Sequence, residues 1–247
     1  MIRERYRDWM HAWETRLNAR DTNRVVRPLE WGLDWTSRWP IGNGTREAAP
    51  SNPAGYLAQL NQDIVCRSDE FYAYRTPSDF RLDGDFLLFT SPVETPFAIN
   101  NTARARWFPA KGRRALVVLP QWNSGPDGHV GLAKLLNRFG ISALRMTMAY
   151  HAERKPAETA RADYHVSSNV GRTIHAARQS IIDVRACLDW LNQQGYEKVG
   201  VLGTSLGSCV AFIASAHPIS WLGGRFVQVE RSLNFPTDCE WGAMRSW

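Results

Sequence analysis

The pentapeptide Gly203-Thr204-Ser205-Leu206-Gly207 constrains this chain more than any other feature, because it follows the run Lys198-Val199-Gly200-Val201-Leu202 and leads into the apolar stretch Cys209 to Ala214. A strand is expected to turn sharply into a helix there, with a serine at the apex: a nucleophile elbow. At such a turn the serine backbone is strained and its side chain stands clear of the sheet. The residues two before and two after must therefore be small, and both are glycine. The pattern predicts a reactive serine. Pentapeptides of this form arise by chance; a buried strand before it, a helix after it and third place in a βα series give this one its weight.

A chain of 247 residues buries one substantial core, which fits a single α/β domain with an extension. With 44% hydrophobic and 22% charged residues, and no apolar run of about 18 residues, an integral membrane protein is not expected. The charged opening Met1 to Asp8 lacks the apolar region of a secretory signal, so the expected location is cytoplasmic. Net charge is +6, yet the arginines are scattered among acids without a basic block or an aromatic-basic motif, which argues against nucleic acid as a partner. Cys66, Cys187, Cys209 and Cys239 are far apart and form no ligand spacing, so neither a metal site nor a disulfide framework is expected. No P-loop or dinucleotide glycine pattern is present, and no cofactor is implied.

Three parts are predicted: an N-terminal extension or cap over residues 1–80, an α/β core over 81–217, and an atypical tail over 218–247. In the first twenty residues Tyr6, Trp9, Met10, Trp13 and Leu17 fall on one helical stripe. Such a stripe buries against its own domain or lies on anionic lipid, a peripheral membrane contact with Trp and Arg as anchors. Residues 21–80 are rich in Trp, Pro, Gly and Asn, with one short helix expected near Tyr56 to Asp63. Two strands, Phe86 to Thr90 and Phe97 to Phe108, open the sheet in antiparallel fashion. From Arg114 the pattern alternates: a strand at Ala115 to Leu119, a helix from His129 to Arg138, a strand at Ile141 to Met148, a long helix from Arg172 to Gln194, the Val199 strand, the serine turn, and a helix to Ala216 that is apolar all round and reads as buried. The fold class is α/β, a mostly parallel sheet with helices on both faces. Active sites in such sheets form at the carboxyl ends of the strands, which brings together the loops after Leu119 and Met148 and Ser205.

Over roughly residues 82–217 the chain resembles the α/β-hydrolase superfamily. Within it the chain is similar to the branch of α/β-hydrolase domain-containing protein 18, on Leu119-Pro120-Gln121-Trp122-Asn123, Tyr150-His151-Ala152-Glu153-Arg154 and Gly203-Thr204-Ser205-Leu206-Gly207-Ser208. The resemblance implies hydrolysis of a small-molecule or lipid ester through an acyl-enzyme on Ser205. It also implies an oxyanion hole made by the backbone N–H of Leu206 and one from the loop after Leu119, assigned to Trp122. The alternative is that Trp122 lines a pocket wall.

The superfamily order is serine, then acid, then histidine. After Ser205 the sole histidine is His217, with Glu230, Asp238 and Glu240 as acids. His217 ends the helix that Ser205 begins, about 18 Å away by helical rise, beyond hydrogen-bond reach, and reads as a helix-terminal residue. The tail from Pro218 shows one short strand near Phe226 to Val229 and no further βα unit, so the fold is expected to be C-terminally incomplete, through truncation or a frame change. His151, at the end of the second core strand, is then the candidate base, and His129, beside the oxyanion loop, could serve in the same way; His151 also reads as a pocket or loop-anchoring residue beside Arg154, and His129 as a helix-start residue. Two expectations follow: weak or no esterase activity, and self-association through an exposed sheet edge at the Val199 strand unless the Val227 segment covers it. The alternative function is a noncatalytic binding protein that keeps the hydrolase fold.

Overall fold

The computed structural model describes residues 2–19, 27–41, 51–217 and 225–226. Residues 1–30 and 31–247 form two compact units. The first carries helix α1 (Ile2–Ala19), whose Tyr6, Trp9 and Trp13 are exposed. The stripe is helical, as its spacing requires.

In the second unit, α2 (Leu33–Thr36), α3 (Pro53–Cys66) and α4 (Ser68–Phe71) precede the sheet. Asn52 caps α3 by accepting from Gly55 N–H at 3.0 Å, and Pro53 sits in the first turn, where its missing N–H costs nothing. Trp39, Ile41, Leu60 and Phe71 form a small core here, so this stretch is more ordered than its composition suggests. The helix expected near Tyr56 extends a turn further in the N-terminal direction because the Asn-Pro pair starts it.

The sheet follows: β1 (Arg81–Asp83), β2 (Phe86–Thr90), β3 (Thr102–Phe108), β4 (Arg114–Leu119), then helix α5 (Val130–Arg138), β5 (Ile141–Thr147), α6 (Val170–Gln193), β6 (Lys198–Gly203), α7 (Leu206–Ala216) and β7 (Arg225–Phe226). Spatial order is β1-β2-β3-β5-β4-β6-β7. The β1–β2, β2–β3 and β3–β5 pairs are antiparallel, and the β5–β4, β4–β6 and β6–β7 pairs are parallel. The architecture is the expected α/β one, with the sheet mixed and its parallel half carrying the serine turn. β3 begins five residues later than its alternation suggests. Asn101 accepts from Thr95 N–H and donates to Thr95 O, both at 2.9 Å, and this local bonding holds residues 98–101 in a 3-10 turn.

Helices cover both faces. α6 and α7 pack on one through Ile181, Val184, Leu188, Val210 and Ala214 against Val117, Leu119 and Val201; α5 packs on the other through Ala133 against Val118 and Ala143. Gly140 (φ 69°) and Gly195 (φ 80°) end α5 and α6 in the left-handed conformation that glycine takes without steric cost. α7 departs from its all-apolar reading. Gly207, Val210 and Ala214 are buried, whereas Cys209 and Phe212 are exposed, Phe212 at 57%. An apolar sequence here packs on the sheet by one face alone among the described residues. At the sheet edge β7 pairs with Lys198 and Val199 of β6; residues 227–229 of the anticipated strand, and the rest of the tail, lie outside the described residues.

Candidate active site

Ser205 sits between β6 and α7 with φ 53° and ψ −120°, a conformation L-residues rarely adopt. The chain before it runs flat along β4, where Thr204 N–H donates to Leu119 O at 3.1 Å. The chain after it enters α7 at once: Gly207 N–H donates to Thr204 O at 2.9 Å and Ser208 N–H to Ser205 O at 2.8 Å. Both flanking glycines are demanded by space. A Cβ on Gly203 would collide with the Gly207 carbonyl, and one on Gly207 would lie 2.6 Å from both Leu119 O and Pro120 O. Ser205 is left exposed. Among the described residues its hydroxyl has no hydrogen-bond partner, and neither Leu206 N–H nor Trp122 N–H has an acceptor.

The loop after β4 lies alongside. Trp122 is half-buried, its Nε1–H donating to Ala162 O at 3.1 Å, with the Arg161 guanidinium 4.5 Å from its ring centroid. Asn123, at φ 57°, accepts from Ala162 N–H at 3.0 Å. The Trp122 ring is thus held against the stretch around Ala162, while its backbone N–H has no acceptor among the described residues. Its ring position follows from the stretch after β5, which sequence periodicity leaves blank.

His129 precedes α5 at φ 68°, and its Nε2 lies 2.9 Å from the Thr204 hydroxyl oxygen. Burial, and then the Arg145 charge, push its imidazole pKa below the ordinary value, so it is neutral at pH 7. This contact, one residue from Ser205, is invisible in the sequence because it joins positions 75 apart. Arg145 is another residue that the sequence does not flag. It lies within a buried strand, is itself enclosed, and holds the loop beside His129.

His151 is 2% exposed and donates from Nδ1 to Ala149 O at 2.8 Å. His165 donates to the same carbonyl at 2.9 Å, and the two rings stand 5.1 Å apart. A carbonyl only accepts, so both histidines carry their proton on Nδ1. Their Nε2 atoms are enclosed without partners. Burial pushes His151 down to about 4 and His165 to about 3. Among the described residues His151 makes no hydrogen bond with Ser205, and its surroundings are those of a loop anchor. Arg154 beside it is fully buried, donating to Asn100 O at 2.7 Å and Thr147 O at 3.1 Å and pairing with Asp183 at 2.8 Å. His217 differs from its helix-terminal reading: its Nδ1 meets the Asp69 carboxylate at 2.9 Å and its ring lies 4.7 Å from Tyr72. The partner comes from α4, not from the last turn of α7. Among the described residues no group of three or more His, Cys, Asp or Glu side chains gathers to hold a metal, and no helix is long and apolar enough to cross a membrane.

Residues 130–222 match the family described as alpha/beta hydrolase domain containing 18. No curated protein matches the chain. Among solved structures, it is similar to Est1E from Butyrivibrio proteoclasticus with ferulic acid bound, at 13% identity and TM-score 0.35 over 50% of this chain and 47% of that one. It is similar to an esterase from Pyrococcus furiosus at 16% identity and TM-score 0.35, over 46% of this chain and 40% of that one. The α/β hydrolase GrgF from Penicillium sp. sh18 matches at 22% identity and TM-score 0.40, over 55% of this chain and 42% of that one. The chain spans less than half the length of each of these structures.

Proposed function

We propose that this chain is an α/β-hydrolase of the domain-containing-18 branch and a serine hydrolase that cleaves carboxylesters or lipid acyl esters through an acyl-enzyme on Ser205. The observation that carries the reading is the Ser205 backbone, held at φ 53° with its hydroxyl exposed between two glycines that tolerate no side chain. Strain of this kind costs about 1–3 kcal/mol and persists where the surroundings over-determine it, as at catalytic turns.

In the proposed reaction the Ser205 oxygen attacks the ester carbonyl carbon while its proton passes to a base. The carbonyl electron pair moves onto oxygen, where Leu206 N–H and Trp122 N–H are the candidate donors. The tetrahedral species collapses with loss of the alcohol, which takes up a proton, and water then cleaves the acyl-serine. His151 is poorly disposed as the base, since its Nδ1–H is committed to Ala149 O and its other nitrogen is enclosed. His129 is the neutral imidazole adjoining the turn.

A second reading is a noncatalytic binding protein, favoured by one observation: among the described residues no imidazole is hydrogen-bonded to Ser205. Hydrolysis of p-nitrophenyl esters separates the two. Slow turnover that disappears in Ser205→Ala supports the hydrolase; turnover equal in wild type and variant, or none in either, supports the binding protein.

A further inference from the structure

Contacts run without a break from the sheet interior to the residue before Ser205. Arg145 on β5, 2% exposed, donates from Nε to Gly128 O at 2.9 Å, from Nη2 to Gly125 O at 2.6 Å and from Nη1 to Thr147 Oγ1 at 2.9 Å. Two of its three contacts grip the loop that ends at His129. That residue has a left-handed backbone and caps α5 with its carbonyl, which accepts from Ala133 N–H at 2.9 Å, while its side chain makes no cap bond. The imidazole is therefore free of any duty to the helix, and it meets the Thr204 hydroxyl oxygen at 2.9 Å. Thr204 is pinned on its other side by the backbone bond to Leu119 O.

We propose that His129 is a positioning residue for Ser205, acting through the Thr204 hydroxyl and itself held in place by Arg145. The proposal rests on the reading of Ser205 as the nucleophile. A backbone at φ 53° relaxes toward ordinary conformations unless it is fixed from several directions. The glycine contacts with Leu119 and Pro120 fix the turn from beneath, and the His129–Thr204 bond fixes it from the loop side. Burial first, and then the charge of Arg145, keep the imidazole neutral; Asp127, Glu153 and Arg106 are the charged groups that in turn surround Arg145. A neutral ring has one bare nitrogen and one N–H, and either suits a hydroxyl.

Two measurements on the full chain test this. One is amide hydrogen exchange at Thr204, which does not depend on reactivity; the other is the rate at which a fluorophosphonate labels Ser205. His129→Ala and Thr204→Val are each expected to speed exchange about tenfold and slow labelling about tenfold, with the double variant no worse than either single one. His129→Gln and Thr204→Ser keep a hydrogen-bonding group at each position and are expected to restore both quantities to within about threefold. Unchanged exchange in His129→Ala overturns the proposal, as does a His129→Gln variant that labels as slowly as His129→Ala. A wild type that is never labelled, yet shows the exchange response, overturns the nucleophile reading and leaves the positioning of the turn standing.

Discussion

Ser205 occupies a backbone conformation that glycine adopts more readily than any L-residue, and the chain keeps a serine there at a cost to its stability. Ser205→Gly is expected to raise stability by about 1 kcal/mol in a urea titration, and a loss would argue against strain at the turn. The flanking glycines act in the opposite direction. Gly207→Ala places a Cβ against the backbone oxygens of Leu119 and Pro120, which cannot swing aside as a flexible side chain would. A loss of about 2–4 kcal/mol is expected, measured as a lower urea midpoint at unchanged slope. At this scale the sequence is most legible, since the Gly-x-Ser-x-Gly spacing states a local steric requirement. The His129–Thr204 contact is not legible, because it depends on how β4 and β6 lie side by side.

Helix α6 shows where reading by element falls short. Its apolar positions predict one buried face, yet Arg178, Asp183, Arg185 and Asp189 are buried as well. Each acid finds donors from other elements. Asp183 accepts from Ser91 at 2.7 Å and pairs with Arg154, while Asp189 accepts from Tyr74 and Thr76, both at 2.6 Å. Gln179 and Asn100 bond at 2.7 Å, and Tyr150 N–H reaches Asn100 Oδ1 at 2.8 Å. The network ties the turn before β3 to the loop after β5, and so sets the wall that Trp122 leans on. Arg154→Met strands the Asp183 carboxylate in the interior and is expected to cost about 3–5 kcal/mol, read as a lowered urea midpoint. A cost under about 1 kcal/mol would contradict a buried pair. Periodicity cannot announce such a face, because it reports apolar spacing and not which distant donors arrive. The reverse error occurs on α7, whose wholly apolar sequence leaves Phe212 exposed.

For the whole molecule, the alternation of strands and helices from Arg114 to Ala216 was legible because the strands are mostly apolar and Gly140 and Gly195 stop the helices between them. The strand order was not, since pairing between distant segments leaves no local mark. The packed body also encloses three histidines as neutral rings. Burial lowers His151 and His175 to about 4 and His165 to about 3, against about 6.5 in the unfolded chain. Their depressed values mean that the unfolded chain binds more protons as the pH falls. Their contribution to stability is fully present above pH ~6.5 and is lost as the pH falls toward about 4, at up to about 1.4 kcal/mol per pH unit for each ring. Urea midpoints measured from pH 8 to pH 5 should therefore hold steady and then fall below pH ~6.5. A flat profile would place these rings in water.

The central claim is that the strained turn carries a reactive serine. Intact-mass analysis after incubation with a fluorophosphonate tests it most directly. One adduct per chain is expected, located on Ser205 and absent from Ser205→Ala; an unmodified wild type, or an adduct that survives in Ser205→Ala, would contradict a reactive serine at this turn.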